Sequence, residues 1–247
     1  MAIMAKAPRV GEAKTRLVPP LSPEEAAGLS ACFIRDAAEN IAGAAKRASI
    51  EGYIAYSPPG AEAEFSPLLA NGTRLLPSPR VGLGLSLYDA AKSLLDVGYG
   101  SVCLINSDSP TLPTAILVDA ARALSAPDDR VVLGPAEDGG YYLIGLKHPH
   151  AGLFHGIAWS TDAVFAQTVV RAREIGLEPI VLPTWYDVDD AGSLRRLIAE
   201  LREEIGLEAS DRAPHYTAAF LRNLSRDFVD PLSGPGIGGA STGSGDE

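Results

Sequence analysis

Four cationic side chains lie within eleven residues near the start of the chain: Lys6, Arg9, Lys14 and Arg16. Gly11 lies among them, and the segment directly follows a short apolar run. Such a loop is suited to a polyphosphate, because backbone N–H groups and fixed positive charge both attract anions. The segment does not have the glycine spacing of a P-loop. A solvated basic turn is the alternative that this segment alone leaves open.

Carboxylates follow three later apolar runs, and the acids concerned are Asp108, Glu137, Asp138, Asp187 and Asp189. Asp187 and Asp189 alternate with Val188, so both carboxylates point to the same side of an extended segment. Acids at strand ends can hold a divalent cation that also contacts a nucleotide diphosphate. Structural roles are the alternatives, since Asp108 can cap the following helix and Asp138-Gly139-Gly140 is also an ordinary hairpin turn.

The elements that must position these residues alternate along the chain as short apolar runs and amphipathic stretches. The apolar runs predict strands at Ala2–Ala5, Gly52–Tyr56, Arg74–Leu76, Val102–Asn106, Val131–Leu133, Tyr142–Leu146 and Pro179–Leu182. The amphipathic stretches predict one helix through Leu29, Phe33, Ala37 and Ile41 and others at Leu87–Leu95, Ala115–Leu124, Asp162–Ile175, Ala191–Ile205 and Pro214–Leu224. The first helix has the clearest start, because Ser22 is a typical N-cap and Glu25 completes a capping box.

This alternation of strands and helices predicts an α/β protein, a three-layer α/β/α sandwich with a mostly parallel sheet. Strands as apolar as Val102–Ile105 suit a sheet that is covered on both faces. In such sheets, ligands bind at the carboxyl ends of the strands. We therefore expect the cationic loop and the acids to meet in one site.

The composition narrows the classes of function. The 247-residue chain has 21 Lys and Arg against 31 Asp and Glu, a net charge of −10. So acidic a chain has no overall field that attracts nucleic acid or anionic lipid, and we expect neither as a partner. No apolar run approaches the ~18 residues of a membrane span. Only Cys32 and Cys103 are present and the start does not look like a secretory signal, so we expect a cytoplasmic protein.

The distribution of residue types predicts one large domain rather than two. We expect a single nucleotide-binding domain over residues 1–230. From Ser233 the composition changes to Gly, Ser, Pro and Thr, which predicts a flexible tail at 231–247. The oligomeric state stays open.

Several motifs together resemble one known family. They are Ala5–Pro8 with Gly11 and Lys14–Leu17, Asn106–Pro113, Gly134–Leu146, Ile157–Thr161 and Asp187–Asp189. The chain resembles a bacterial family of GT-A-type glycosyltransferase-like proteins, which includes arsenosugar-biosynthesis glycosyltransferases and is similar to 2-phospho-lactate guanylyltransferase. The resemblance runs from Met1 to about Leu207. It implies the nucleotide-diphospho-sugar transferase fold.

The resemblance also implies roles for individual residues. It assigns nucleotide and phosphate binding to Gly11, Lys14 and Arg16, and we expect Lys6, Thr15, Gly82 and Gly84 to contribute to the same binding. We expect donor or acceptor binding by Glu137, Gly139, Gly140 and Trp159. The resemblance makes Asp108 and Asp189 the ligands of a divalent metal, Mg²⁺ or Mn²⁺. For an inverting reaction, we expect Asp138 or Asp187 to be the catalytic residue that accepts the proton of the acceptor. Packing is the alternative role for Trp159. The chain departs from the family at Asn106, which replaces the first acid of an Asp-x-Asp motif, and at Arg80–Ser86.

Three functions are compatible with these residues. The first is metal-dependent transfer of a glycosyl group from a nucleotide-diphosphate sugar to a small-molecule acceptor. The second is a nucleotidyltransferase that couples a nucleoside triphosphate to a phosphorylated small molecule and releases pyrophosphate. The third is a nucleotide-binding module without catalytic activity. The first is favoured, largely by the family resemblance.

Overall fold

The computed structural model describes residues 1–79, 82–204 and 214–224. Within them the strands are β1 (Ala2–Lys6), β2 (Tyr53–Ser57), β3 (Arg74–Pro77), β4 (Val102–Ile105), β5 (Val131–Pro135), β6 (Tyr141–Leu146) and β7 (Ile180–Val181). The helices are α1 (Pro23–Ala45), α2 (Glu62–Phe65), α3 (Leu83–Asp96), α4 (Thr114–Leu124), α5 (Val164–Glu174), α6 (Ala191–Glu204) and α7 (His215–Asn223). The predicted tail at 231–247 and Arg80 lie outside the described residues.

The seven strands form one mixed sheet in the order β3-β2-β1-β4-β6-β5-β7. All neighbouring strands are parallel except β6, which is antiparallel to both β4 and β5. From β1 the chain first builds outward through β2 and β3, and it then returns to place β4 on the other side of β1. This reversal opens a crevice at the carboxyl ends of β1 and β4, where α/β proteins bind ligands.

Helices cover both faces of the sheet, as the sequence predicts for a three-layer sandwich. Buried residues of α1 and α4 pack on one face, and buried residues of α3 and α5 pack on the other. The predicted capping box begins α1, since the Ser22 hydroxyl accepts from the Glu25 N–H and the Glu25 carboxylate accepts from the Ser22 N–H. A bilayer-spanning helix would have to be longer and more apolar than any helix among the described residues.

A third group of buried side chains connects the site loops to the outer helices. Leu17, from the loop after β1, and Val188, from the segment before α6, are both completely buried. They pack with leucines of α6 and α7 and with Leu29 and Phe33 of α1. The loops that carry the candidate site residues are therefore fixed by a hydrophobic core of their own.

The main differences from the predicted elements lie at α3 and at β6. The helix α3 begins at Leu83 rather than at the predicted Leu87. Leu83 and Leu85 are 50% and 58% exposed, so these two apolar residues do not belong to the buried face from which the helix was predicted. The strands β5 and β6 form an antiparallel hairpin. The segment Asp138-Gly139-Gly140 is its turn, which is the structural alternative that the sequence offered for these residues. The insertion of β6 between β4 and β5 makes the sheet mixed.

The C-terminal helix α7 is attached to α1 through Asp36. This carboxylate is 6% exposed and accepts hydrogen bonds from the backbone N–H groups of Tyr216 and Thr217, at 3.0 and 2.8 Å. We expect Asp36→Ala to lower the free energy of unfolding by about 1–2 kcal/mol, because both N–H groups lose their partner. Urea unfolding measures this. Asp36→Asn, which keeps one acceptor oxygen, should lose less, and an unchanged midpoint in Asp36→Ala contradicts the capping role.

Candidate active site

The candidate active site lies at the crevice between the carboxyl ends of β1 and β4, where one lysine joins three segments. The ammonium of Lys14 lies 2.7 Å from Asp108 Oδ1, 2.8 Å from Asp189 Oδ1 and 2.9 Å from the carbonyl oxygen of Val188. We call these four residues the Lys14 cluster. The structure thus brings Lys14, a predicted phosphate ligand in the loop after β1, together with Asp108 and Asp189, the predicted metal ligands after β4 and β7.

Lys14 is buried and charged. Its side chain is only 7% exposed, and its Nζ also lies 5.4 Å from the centre of the Phe33 ring. Burial by itself lowers the pKa of Lys14, but the carboxylates of Asp108 and Asp189 outweigh burial and raise the pKa above its ordinary value. The three oxygen neighbours match the three N–H donors of an ammonium. In this arrangement Lys14 directs its donors at the protein rather than at a phosphate.

Backbone contacts hold the Lys14 cluster together. The Val188 N–H donates to the carbonyl oxygen of Asp108 at 2.8 Å, which joins the loop after β4 to the segment before α6. The Ser193 hydroxyl accepts from the N–H groups of Asp189 and Asp190, both at 3.0 Å. Asp190 accepts from the Ser193 N–H at 2.8 Å and so caps α6.

Asp187 lies beside the Lys14 cluster and has polar neighbours of its own. Its Oδ1 accepts from the Asn106 side-chain amide at 2.7 Å and from the Ser109 hydroxyl. Burial raises the pKa of Asp187 to about 6, with smaller contributions from Asp108 and Asp189, although both hydrogen bonds act in the opposite direction. Sequence reasoning assigned no role to Ser109, and Asn106 was noted only as a lost acid. Their position directly after β4 was the available signal.

The β5–β6 turn, residues 136–140, keeps its side chains engaged with the protein. Asp138 Oδ1 accepts from the Gly140 N–H at 2.8 Å, an interaction that shapes the turn. Glu137 pairs with Arg196 of α6 at 2.7 Å, and its N–H donates to the Trp185 carbonyl at 2.9 Å. The turn is therefore fixed to α6 and to the segment before it. These contacts give Glu137 and Asp138 structural roles that the sequence left as an alternative.

Gly139 is required by the close packing of this turn. Its φ is +88°, and a Cβ at this position would lie 2.2 Å from the carbonyl oxygen of Asp162. We expect Gly139→Ala to lower the free energy of unfolding by about 2 kcal/mol or more, because the backbone is strained and the neighbour is main chain. Gly72→Ala is the matched control, since Gly72 has φ +81° and nothing within 4 Å of its Cβ position. Equal losses in the two variants, measured by urea unfolding, contradict the packing argument.

The remaining cations of the first loop differ in their environments. Arg9 forms a salt bridge with Glu64 of α2 at 2.7 Å, so its charge is neutralised within the protein. Lys6, Thr15 and Arg16 are exposed. Gly11 is also exposed and adopts φ +77°, with nothing within 4 Å of its Cβ position. Lys6 and Arg16 are thus exposed to solvent, whereas Arg9, whose side chain is 40% exposed, is paired with Glu64.

The Trp159 side chain packs against Gly84 and Tyr141. Its indole covers Gly84, where a Cβ would lie 2.6 Å from Nε1, and its ring meets Tyr141 edge-on at 6.4 Å between centroids. Gly84 is therefore needed for close approach of α3 to Trp159. Gly82 precedes α3 with φ +95° and turns the chain into that helix. These contacts support packing roles for both Trp159 and Gly84. For Trp159, packing was the alternative role that the sequence left open.

The donor atoms at Asp108 and Asp189 fit a divalent metal. The two side chains are 34% and 43% exposed, and each contacts Lys14 through Oδ1 only, which leaves a second carboxylate oxygen on each. Mg²⁺ commonly takes one or two carboxylates and completes its shell with water and substrate phosphate. Across 1–79, 82–204 and 214–224, no set of three or more His, Cys, Asp or Glu side chains is arranged around a metal position. A metal at this pair would need further oxygen ligands from water or a phosphate.

Known proteins share the fold and part of the sequence. The family model described as "Uncharacterized protein conserved in bacteria (DUF2064)" matches residues 40–161. A protein from Desulfovibrio desulfuricans G20, assigned to the nucleotide-diphospho-sugar transferases, is 30% identical over 90% of this chain and 92% of its own, with a TM-score of 0.75. No curated protein matches the chain significantly.

More distant structures are similar in fold alone. CMP:2-keto-3-deoxy-manno-octonic acid synthetase, complexed with CTP, is 12% identical over 82% of this chain and 98% of its own, with a TM-score of 0.53. A 4-diphosphocytidyl-2C-methyl-D-erythritol synthase from Anaerococcus prevotii DSM 20548 is 10% identical over 81% and 97%, also with a TM-score of 0.53.

The fold and the likeness to the Desulfovibrio protein define a nucleotide-dependent transferase, in which a mixed seven-stranded sheet presents polar side chains at its central crevice. The 30% identity with the Desulfovibrio protein, across nine-tenths of both chains, establishes the family. This chain belongs to the nucleotide-diphospho-sugar transferase family.

Proposed function

We propose that the protein transfers a glycosyl group from a nucleotide-diphosphate sugar to a small-molecule acceptor, with Mg²⁺ or Mn²⁺ as cofactor. The observation that carries the proposal is the pair Asp108 and Asp189, joined by Lys14 at the crevice between β1 and β4. The likeness to the Desulfovibrio protein supports a sugar donor activated by a nucleotide diphosphate.

The donor side of the reaction is proposed for the Lys14 cluster and the neighbouring loop. Asp108 and Asp189 would hold the metal ion, which when bound stabilises the negative charge on the departing diphosphate. Arg16, in the same loop, and Lys6, the last residue of β1, are exposed cations and are proposed to bind the phosphates. Lys14 keeps the two carboxylates together from below the surface of the crevice.

The acceptor side is proposed for Asp187. A general base works best when its pKa lies near the working pH, and burial raises the pKa of Asp187 to about 6. Its hydrogen bonds from Asn106 and Ser109 both reach Oδ1, so they orient the carboxylate through one oxygen. Asp138 is less suited to this role, because its Oδ1 already accepts from the backbone of its own turn.

Product analysis tests the proposed reaction. The protein is incubated with the diamagnetic ion Mg²⁺ and, in separate reactions, with nucleotide sugars or with nucleoside triphosphates. Each reaction contains mixtures of small hydroxylated and phosphorylated acceptors, and phosphorus NMR follows the products. Glycosyl transfer releases a nucleoside diphosphate and no pyrophosphate. Pyrophosphate release from a triphosphate overturns glycosyl transfer and supports nucleotidyl transfer. Binding of nucleotide without either product, over the full panel, overturns both reactions.

A further inference from the structure

A cation is already resident between the two proposed metal ligands. The Lys14 ammonium contacts Asp108 and Asp189 at 2.7 and 2.8 Å and the Val188 carbonyl at 2.9 Å. These three oxygens account for all N–H donors of an ammonium. The side chain is 7% exposed, so water shields its charge little. Any divalent ion that binds the outer oxygens of the two carboxylates must do so beside this buried positive charge.

This charge reduces the attraction of the carboxylate pair for a free metal ion. The two carboxylates and the one ammonium carry a net charge of only −1. A like charge a few ångströms away weakens cation binding markedly where solvent is partly excluded. Two carboxylate oxygens also fill only a small part of the coordination shell of Mg²⁺ or Mn²⁺. A diphosphate would supply both missing features, namely further oxygen ligands and negative charge.

We infer that Lys14 is a positioning residue that holds Asp108 and Asp189 ready while disfavouring a free divalent ion, so that metal binds tightly only together with the nucleotide diphosphate. The inference rests on the proposed function and adds to it an order of assembly. Lys14 need not move when metal arrives, because its contacts use one oxygen of each carboxylate. The role differs from direct phosphate binding, which would need a free N–H on Lys14.

Mn²⁺ titration followed by electron paramagnetic resonance tests the inference without turnover. The signal of free Mn²⁺ reports binding to the wild-type protein alone and with UDP, GDP, ADP or CDP, corrected for Mn²⁺ bound to free nucleotide. We expect weak binding alone and at least tenfold tighter binding with one of the nucleotides. Lys14→Met and Lys14→Gln should tighten binding of Mn²⁺ alone by about tenfold or more, because a repelling charge is removed. Lys14→Arg, which keeps the charge, should not.

Lys92→Met is the matched control, because Lys92 is an exposed lysine of α3 paired with Asp96 and should leave Mn²⁺ affinity unchanged. Circular dichroism checks the fold of each variant, and Lys14→Gln retains a hydrogen-bond donor. If the folded Lys14→Met and Lys14→Gln variants bind Mn²⁺ no more tightly than wild type, the inference is wrong while the proposed function stands. Equal wild-type affinity with and without nucleotide also overturns it. Failure of Mn²⁺ to bind wild type under any condition overturns the proposed metal dependence instead.

Discussion

Replacing Asp108 by Ala is expected to lower transfer activity by at least about a hundredfold to a thousandfold. The substitution removes one of the two proposed metal ligands, and Lys14 loses its shortest carboxylate contact. Asp108 is one-third exposed, so the fold should persist with only a modest loss of stability. Initial rates at saturating Mg²⁺ or Mn²⁺, with circular dichroism to check the fold, measure both effects.

Asp119→Ala is the matched control for this substitution, because Asp119 is an exposed acid of α4 that pairs with Arg122 at 3.7 Å. It should leave the rate unchanged. Retained activity in Asp108→Ala at saturating metal would remove Asp108 from the metal site. Loss of activity together with loss of the circular dichroism signal would show only that the fold had failed, and Asp108→Asn, which keeps the shape, then decides.

The second large effect is expected for Asp187→Asn, which should reduce turnover by about 10²–10⁴-fold, since an amide cannot take a proton as a general base can. The same variant should be more stable than wild type at neutral pH. An asparagine oxygen still accepts from Asn106 and Ser109, and the variant avoids burying a negative charge. Loss of activity combined with a gain of stability is the signature of a residue kept for chemistry.

The stability gain should depend on pH with a defined sign. Burial raises the pKa of Asp187 in the folded protein from 3.8 to about 6, so ionisation disfavours the native state. Wild type therefore loses stability as the pH rises from about 4 to 6, up to about 3 kcal/mol in all, and Asp187→Asn does not. Urea unfolding at pH 4 and pH 8 measures the difference between the two proteins. A difference that is the same at both values contradicts a raised pKa.

Local sequence patterns were sufficient to predict most of the elements of this fold. The apolar run Val102–Ile105 and the capping box at Ser22 depend on neighbours in the chain, so strand and helix follow from residue order. The place of β6 between β4 and β5 could not be predicted, since strand order depends on pairing between distant segments. The first turn of α3 was not predicted, because its leucines Leu83 and Leu85 are exposed and do not continue the spacing of the buried residues that identifies the rest of the helix.

The candidate site was predicted in its location but not in its internal contacts. Lys14 and Asp108 follow the neighbouring strands β1 and β4, whose carboxyl ends meet at the crevice, and Asp189 joins them from the segment between β7 and α6. The charge of Lys14 was expected to face a phosphate, whereas it faces oxygens of residues more than 90 positions away. Burial of Asp187 likewise depends on packing that no local pattern reports.

A thermal-shift panel tests the central claim most directly, namely that the Lys14 cluster binds a nucleotide diphosphate with metal. Wild type and Asp108→Ala are melted with nucleoside diphosphates, triphosphates and nucleotide sugars, each with and without Mn²⁺. Ligands that bind only the native state raise the melting temperature. We expect one nucleoside diphosphate or its sugar to raise the wild-type value only when Mn²⁺ is present, and to have no effect on Asp108→Ala. No shift of folded wild type with any nucleotide, or an equal shift in both proteins, contradicts the claim.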